Sequence, residues 1–217
     1  MSLRSNIRAI LTMGRGVVKG VTKLTAGDDP IVMFEGWFDD AKRSGILLPD
    51  RVCLATATAE GMPSARMMLL KGVDERGFVL YTNYGSRKGE ELAENPRAAL
   101  VFHWPILERQ VRVEGPVEKI PFEESVAYFR SRARGSRVGA WASRQSAPLE
   151  NREELEVRFE EHDRRYKGKD VPLPEFWGGY RVTPERIEFW QGRINRLHDR
   201  LRYDRTATGW EVVRLYP

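Results

Sequence analysis

The segment Arg196-Leu197-His198-Asp199-Arg200 sets an imidazole between two guanidiniums. Read as an extended strand, it turns Arg196, His198 and Arg200 to one face and Leu197, Asp199 and Leu201 to the other. Two permanent cations beside a group that exchanges a proton near neutrality suit an anionic or electron-rich ring. The polar outer face of an edge strand would carry the same residues. A second candidate is the run from Tyr81 and Thr82 through Tyr84-Gly85-Ser86-Arg87-Lys88-Gly89. There a strand empties into a Gly-Ser loop and a helix opens with two adjacent cations. Free N–H groups at such a start, with Arg and Lys alongside, make a phosphate receptor. Without an anion those cations oppose the helix dipole, and a plain surface loop is the alternative. A third is Arg66-Met67-Met68-Leu69-Leu70-Lys71. Its end cations lie five positions apart and so on opposite strand faces. They serve two anions, one anion reached around a strand end, or only solvent.

Other chemistries find no support. His103, in Phe102-His103-Trp104, reads as a packed strand residue, and His162 as a surface or packing residue of a charged helix. Three separated histidines and the single Cys53 offer no metal-ligand spacing, so no metal is expected. There is no G-x-S-x-G elbow. With neither G-x-G-x-x-G nor G-x-x-x-x-G-K-[ST], any phosphate must be held by side chains. Trp190, just ahead of the Arg196 segment, is placed to flank a planar ring.

The elements that must position these groups follow from periodicity. Asp29-Pro30 opens a helix whose Ile31, Phe34, Trp37, Phe38 and Ala41 recur on one side until Gly45. Residues 52–57, 65–71 and 78–82 read as a three-strand antiparallel meander. A short helix over 86–94 and strands over 98–104 and 109–117 follow. In the last, Val111 and Val113 alternate with Gln110, Arg112 and Glu114. Helices are expected over 121–131, with Phe122, Val126 and Phe129 in the apolar stripe, and over 149–167. Strands are expected over 179–182, 186–190, 196–203 and 210–215. The class is mostly β with peripheral helices (α+β), a closed or nearly closed antiparallel barrel.

The chain has 217 residues, 41% hydrophobic and 31% charged, a globular balance. Its net charge of +5 sits between Met1 and Gly27, which hold Arg4, Arg8, Arg15, Lys19 and Lys23 and no anion. The rest carries 31 charges of each sign, unlike the basic face of a nucleic-acid domain. Residues 1–28 therefore read as a flexible basic arm, with an organelle leader as the lesser reading, and residues 29–217 as one domain. No apolar run approaches the roughly 18 residues of a membrane span. The lone cysteine suits a reducing compartment, the cytoplasm.

Taken together, RMMLLKG (66–72), YTNYGSRKGEEL (81–92), LERQVRVEG (107–115), YFRSR (128–132), SRVGAWASRQS (136–146), PEFWGGYRV (174–182) and IEFWQGR followed by RLHDR (187–200) resemble the pyridoxine/pyridoxamine 5'-phosphate oxidase family, in the family's order. The resemblance implies an FMN-binding split β-barrel homodimer, with FMN in clefts between subunits. It implies FMN contacts at Arg66, Met67, Met68, Leu69, Leu70, Lys71, Tyr81, Thr82, Arg87, Lys88, Gln110, Gln145, Ser146, Trp190 and Arg200, some from the partner subunit. Substrate phosphate would fall to Lys71, Tyr128, Arg132 and Ser136. Arg196, Leu197 and His198 would lie at the pyridine ring, with Arg196 and His198 catalytic. The implied reaction oxidises pyridoxine or pyridoxamine 5'-phosphate by hydride transfer from C4' to flavin N5, with O2 reduced to hydrogen peroxide. The family's Arg-x-x-Tyr segment before the first helix has no counterpart, since no tyrosine stands between Met1 and Gly36. The alternatives are a flavin oxidase of the same fold acting on another planar aromatic such as a phenazine, a non-catalytic flavin or pyridoxal phosphate binder, and a basic nucleic-acid binder.

Overall fold

The computed structural model describes residues 29–217, so the expected basic arm lies outside the described residues. Helix α1 (Pro30–Arg43) starts as its sequence dictates. The Asp29 carboxylate accepts the Ile31 N–H at 2.8 Å, and proline holds the first position. Its buried Ile31, Phe34, Trp37 and Ala41 pack on the sheet. Phe34 meets Phe78 and Phe102 edge-on at 4.8 and 4.9 Å, and Trp37 meets Phe189 at 5.2 Å.

Ten strands follow: β1 (Arg51–Ala57), β2 (Pro63–Leu69), β3 (Gly72–Asp74), β4 (Gly77–Asn83), β5 (Arg97–Trp104), β6 (Arg109–Lys119), β7 (Trp177–Val182), β8 (Arg186–Gln191), β9 (Asp199–Thr206) and β10 (Gly209–Leu215). Every pairing is antiparallel, in the order β10-β9-β8-β6-β5-β1-β2, with β7 joined to β6 and β4, and β3 to β4. The sheet curls into the expected split barrel. The branch point is β6, which pairs β8 through Glu114 and β7 from Val117. A side chain at Gly115 would collide with the Thr183 carbonyl, so glycine permits the close approach at which β6 changes partner. Inward residues of successive strands, among them Val52, Leu100, Phe102, Val111, Val113, Ile187 and Tyr203, form the core.

Helix α2 (Arg87–Glu94) follows β4. Helices α3 (Phe122–Ser131), α4 (Arg134–Ala142) and α5 (Arg152–Arg165) lie between β6 and β7 in the chain. Phe129, Val138, Tyr166, Val171 and Trp177 form a second, smaller core among them.

Four local expectations are corrected. The meander does not close: β1 and β2 form a hairpin, but the strand breaks at Leu70 and Lys71, and β4 pairs with β3 and β7 instead. The strand expected from Arg196 begins at Asp199. Residues Ile194–Arg196 form a 3₁₀ turn, with Asn195 and Arg196 in the left-handed region at φ 57° and 60°. His103 is exposed, because alternation turns its neighbours Phe102 and Trp104 inward. Phe122 is also exposed; α3 buries Ser125 and Phe129. Helix α4 escaped notice because Gly135 and Gly139 blur its apolar period.

Candidate functional site

Three cations converge where β2, β4 and the start of α2 meet. Arg66, on the inward face of β2, donates to the Leu54 carbonyl at 3.2 Å, the Thr56 hydroxyl at 2.5 Å, the Ser64 hydroxyl, and the Glu91 carboxylate at 3.2 Å. Arg87 donates Nε–H to the other Glu91 oxygen at 2.9 Å. Lys88 is only 6% exposed. Its ammonium donates to neutral groups: Ser86 Oγ at 2.9 Å, Thr82 Oγ1 at 3.1 Å and Gln145 Oε1 at 3.3 Å. Gln145 also accepts from Thr82 Oγ1 at 3.1 Å, so the segment after α4 closes over the group.

The local sequence explains this geometry. Ser86 is the N-cap, but its hydroxyl is engaged by the Asn83 carbonyl and Lys88 and leaves the first helical turn uncapped. A Cβ at Gly89 would strike the Tyr84 carbonyl, so glycine lets the helix start fold tightly onto its loop. Burial, and then the Arg66 charge, pulls the Lys88 ammonium down to about 8 against the opposing effect of Glu91. Burial alone would raise the Glu91 carboxyl. Hydrogen bonds from Thr56, Ser64 and Arg87 and the charge of Arg66 override it and hold the carboxyl at about 2.

A deck of aromatic rings stands on the neighbouring side of β4. Tyr81 stacks on Tyr128 of α3 at 3.9 Å and on Trp177 at 5.5 Å, with interplanar angles of 18° and 12°. Burial, with Glu124 adding to it, pushes the Tyr81 phenol up to about 12, so it stays protonated. Arg132, just past α3, lies 4.7 Å over the Trp177 ring. Its Nη1 is buried and makes no hydrogen bond. Ser136, in the first turn of α4, is exposed. Lys71 borders β4, its N–H donating to the Val79 carbonyl at 2.9 Å, and shares no hydrogen bond, ion pair or ring contact with this deck. It pairs with Asp50 at 3.0 Å and lines a cavity of about 450 Å³ with Glu35, Phe38 and Asp39 of α1.

A third assembly occupies β6, β8 and β9. Gln110 is paired with Trp190, and Trp190 with Arg200, in strand register. The His198 ring lies 4.6 Å from that of Trp190, and its Nδ1 accepts the Arg193 N–H at 3.1 Å. Arg200 donates to Glu188 at 2.8 Å and to the Tyr216 carbonyl at 2.9 Å. Arg196 and Leu197 project from the turn before β9, Leu197 being 69% exposed.

The chain thus gathers Arg66, Thr82, Arg87, Lys88 and Gln145 in one place, Tyr81, Tyr128 and Arg132 in a second, and Gln110, Trp190, His198 and Arg200 in a third. No hydrogen bond, ion pair or ring contact among the described residues joins the third group to the first two. Of the β2 run, Leu70 is buried and Met68 packs on the core, while Met67 and Leu69 face outward on an edge strand. Ser146 is exposed, with φ at 73°. Sequence reasoning missed Glu91, Trp177 and Glu188. The motif YTNYGSRKGEEL contained Glu91, four residues after Arg87, the spacing of a helical ion pair.

The donor set can be tested against a phosphorylated coenzyme and a phosphorylated substrate. The first cluster brings two guanidiniums to one carboxylate and sets Lys88 beside them, buried among neutral partners. Arg132 holds an unused donor against an aromatic face. Both features suit phosphate oxygens, and the residues fit FMN with a second phosphorylated ring.

Comparison with known proteins agrees. Residues 38–165 match the family model described as pyridoxamine 5'-phosphate oxidase, and residues 177–217 the pyridoxine 5'-phosphate oxidase C-terminal dimerisation region. The pyridoxine/pyridoxamine 5'-phosphate oxidase of Rubrobacter xylanophilus is 61% identical, with 91% of each chain covered. That of Psychromonas ingrahamii is 54% identical over the whole of both chains. Among solved structures, PhzG from Burkholderia lata, in complex with tetrahydrophenazine-1-carboxylic acid, is 30% identical. It superposes with a TM-score of 0.84 over 91% of this chain and all of that one. Curled barrel, phosphate-seeking cations and a matched dimerisation region thus coincide in one chain, which belongs to the pyridoxamine 5'-phosphate oxidase family.

Proposed function

We propose that this chain, as a homodimer with FMN, oxidises pyridoxine 5'-phosphate or pyridoxamine 5'-phosphate to pyridoxal 5'-phosphate. The observation that carries this reading is the pair of separate phosphate-seeking sites, Arg66–Arg87–Lys88 and Tyr128–Arg132, within a chain of this family. O2 is the proposed final acceptor, leaving as hydrogen peroxide. The alcohol yields the aldehyde directly, and the amine yields it with uptake of water and release of ammonia. Among the described residues no helix is long and apolar enough to cross a membrane. The cytoplasm is the proposed location, and residues 29–217 the proposed functional unit.

Bound FMN supplies the two-electron chemistry at C4'. Arg66, Arg87 and Lys88 hold its phosphate, with Thr82 and Gln145 completing the pocket, while residues 67–70, Tyr81 and Ser146 border the coenzyme. Gln110, Trp190 and Arg200 approach from the partner subunit, because one chain does not bring them to the cations. Lys71, Tyr128, Arg132 and Ser136 hold the substrate phosphate; Lys71 shares itself with Asp50 or leaves it to do so. Arg196 and His198, with Leu197 between them, cover the pyridine ring. With Nδ1 occupied by the Arg193 N–H, the neutral His198 ring carries its proton on Nε2. That N–H is the group left to donate to the C4' oxygen or nitrogen and hold it in place. Fixing two rings in register supplies much of the acceleration, since orientation alone is worth roughly 7–11 kcal/mol.

The phenazine reading is favoured by the PhzG likeness alone, at 30% identity. A phosphate grip at Tyr128 and Arg132 has no purpose for an unphosphorylated ring. The test compares turnover of pyridoxine 5'-phosphate with that of pyridoxine. Aldehyde formation confined to the phosphorylated vitamer supports the assignment; equal rates or none overturn it.

A further inference from the structure

We propose that Glu91 is a positioning residue for the coenzyme phosphate. It aligns Arg66 and Arg87 and sets the charge of their pocket to match a phosphate dianion. This rests on the FMN reading above and adds a role for a residue that need not touch FMN.

A buried carboxylate in a phosphate pocket is at first sight counterproductive, since it repels the ligand. Its bonding shows what it does. Glu91 is 4% exposed and receives donors from three elements: Thr56 on β1, Ser64 at 2.7 and 2.9 Å and Arg66 at 3.2 Å on β2, and Arg87 at 2.9 Å on its own helix. One oxygen takes Thr56 and Arg66, the other takes Arg87, and Ser64 reaches both. The two guanidiniums, one from a strand and one from a helix, are fixed about one anchor. Such two-sided, charge-assisted bonding gives geometry as well as attraction.

The charge argument is independent. Arg66, Arg87 and Lys88 bring three positive charges to a partly dry pocket, and Glu91 returns one. The balance of two positive charges matches a phosphate monoester dianion. Without Glu91 the same three cations would repel one another before the ligand arrived. Lys88 already feels this, since burial and Arg66 lower its pKa and Glu91 opposes them. The groups that face Lys88 are Thr82 of β4, Ser86 and Glu91 of the helix and its cap, Arg66 of β2, and Gln145 after α4. Of these only Arg66 and Glu91 are charged. Removing the Glu91 charge therefore pushes the Lys88 ammonium further down.

The test titrates FMN-free protein with FMN and with riboflavin, which lacks the phosphate, across a pH series. Glu91→Gln is expected to weaken FMN about tenfold at neutral pH and leave riboflavin within twofold. FMN affinity is expected to fall with rising pH from near the Lys88 value of about 8 in the parent, and from lower pH in Glu91→Gln. Glu91→Asp keeps the charge but reaches fewer partners. It should weaken FMN several-fold with the onset of the pH loss unmoved, and it serves as the test if Glu91→Gln does not fold. Unchanged or tighter FMN binding, or equal weakening of riboflavin, overturns the role of Glu91. Lys88→Ala tells the two readings apart. If it leaves the ratio of FMN to riboflavin affinity unchanged, the phosphate pocket itself is misassigned.

Discussion

The imidazole of His198 rests against the indole of Trp190 at 4.6 Å, tilted by 39°, while its Nδ1 accepts the Arg193 N–H. The ring is held from one face and one edge, and a single nitrogen is left for chemistry. The strand that carries Trp190 also pairs with Gln110 and Arg200, so the coenzyme contacts and the proton-donating group share one platform.

His198→Ala should lower kcat about 100-fold, within the range expected for loss of a positioned hydrogen-bond donor. It should still purify yellow with one FMN per chain. Arg196→Ala should raise KM and lower kcat, also with flavin retained. Flavin content and steady-state kinetics check both, and a colourless or fully active Arg196→Ala would contradict its role.

Arg132 owes its pose to the Trp177 face at 4.7 Å. Arg132→Met should raise KM for pyridoxine 5'-phosphate about 10- to 100-fold, the worth of a charge-assisted hydrogen bond. FMN affinity should stay as in the parent. Trp177→Leu should show a smaller effect of the same kind, and kinetics with calorimetric FMN titration separate the two.

Much of this was legible in the residues. The helix at Asp29-Pro30 and the alternation along β6 are local signals, as is the cationic helix start at Arg87-Lys88, and each needs only a few neighbours to be read. The misreadings depend on distant partners. Strand β4 joins β7, about a hundred residues away, and no local period announces that. Arg196 looked like strand because alternation cannot foresee the left-handed turn at Asn195 and Arg196. Glu91 went unread because its burial is made by Thr56 and Ser64 on the β1–β2 hairpin, distant in sequence from its helix.

Glu91 should also make the protein acid-sensitive. Its carboxyl sits at about 2, below the ordinary 4.5. The stability this contributes is complete above 4.5 and is lost as pH falls toward about 2. Chemical denaturation of the FMN-free protein at a series of pH values should show this loss, and Glu91→Gln should flatten that part of the profile.

Because one chain keeps the Arg132 and His198 groups apart, two impaired variants should complement each other when assayed at substrate concentrations well below the KM of Arg132→Met. Co-expressing Arg132→Met with His198→Ala gives mixed dimers in which one site holds both defects and the other neither. Purified mixed dimers should recover about half the parental activity, whereas either homodimer stays low. No recovery would place each site within a single chain.

The most direct measurement is oxidation itself. The purified protein, loaded with FMN, is mixed with pyridoxine 5'-phosphate in air while aldehyde and peroxide are followed together. The account predicts equal amounts of pyridoxal 5'-phosphate and hydrogen peroxide, with no reaction from unphosphorylated pyridoxine. A flavin-loaded protein that forms no aldehyde, or one that cannot retain FMN, would contradict it.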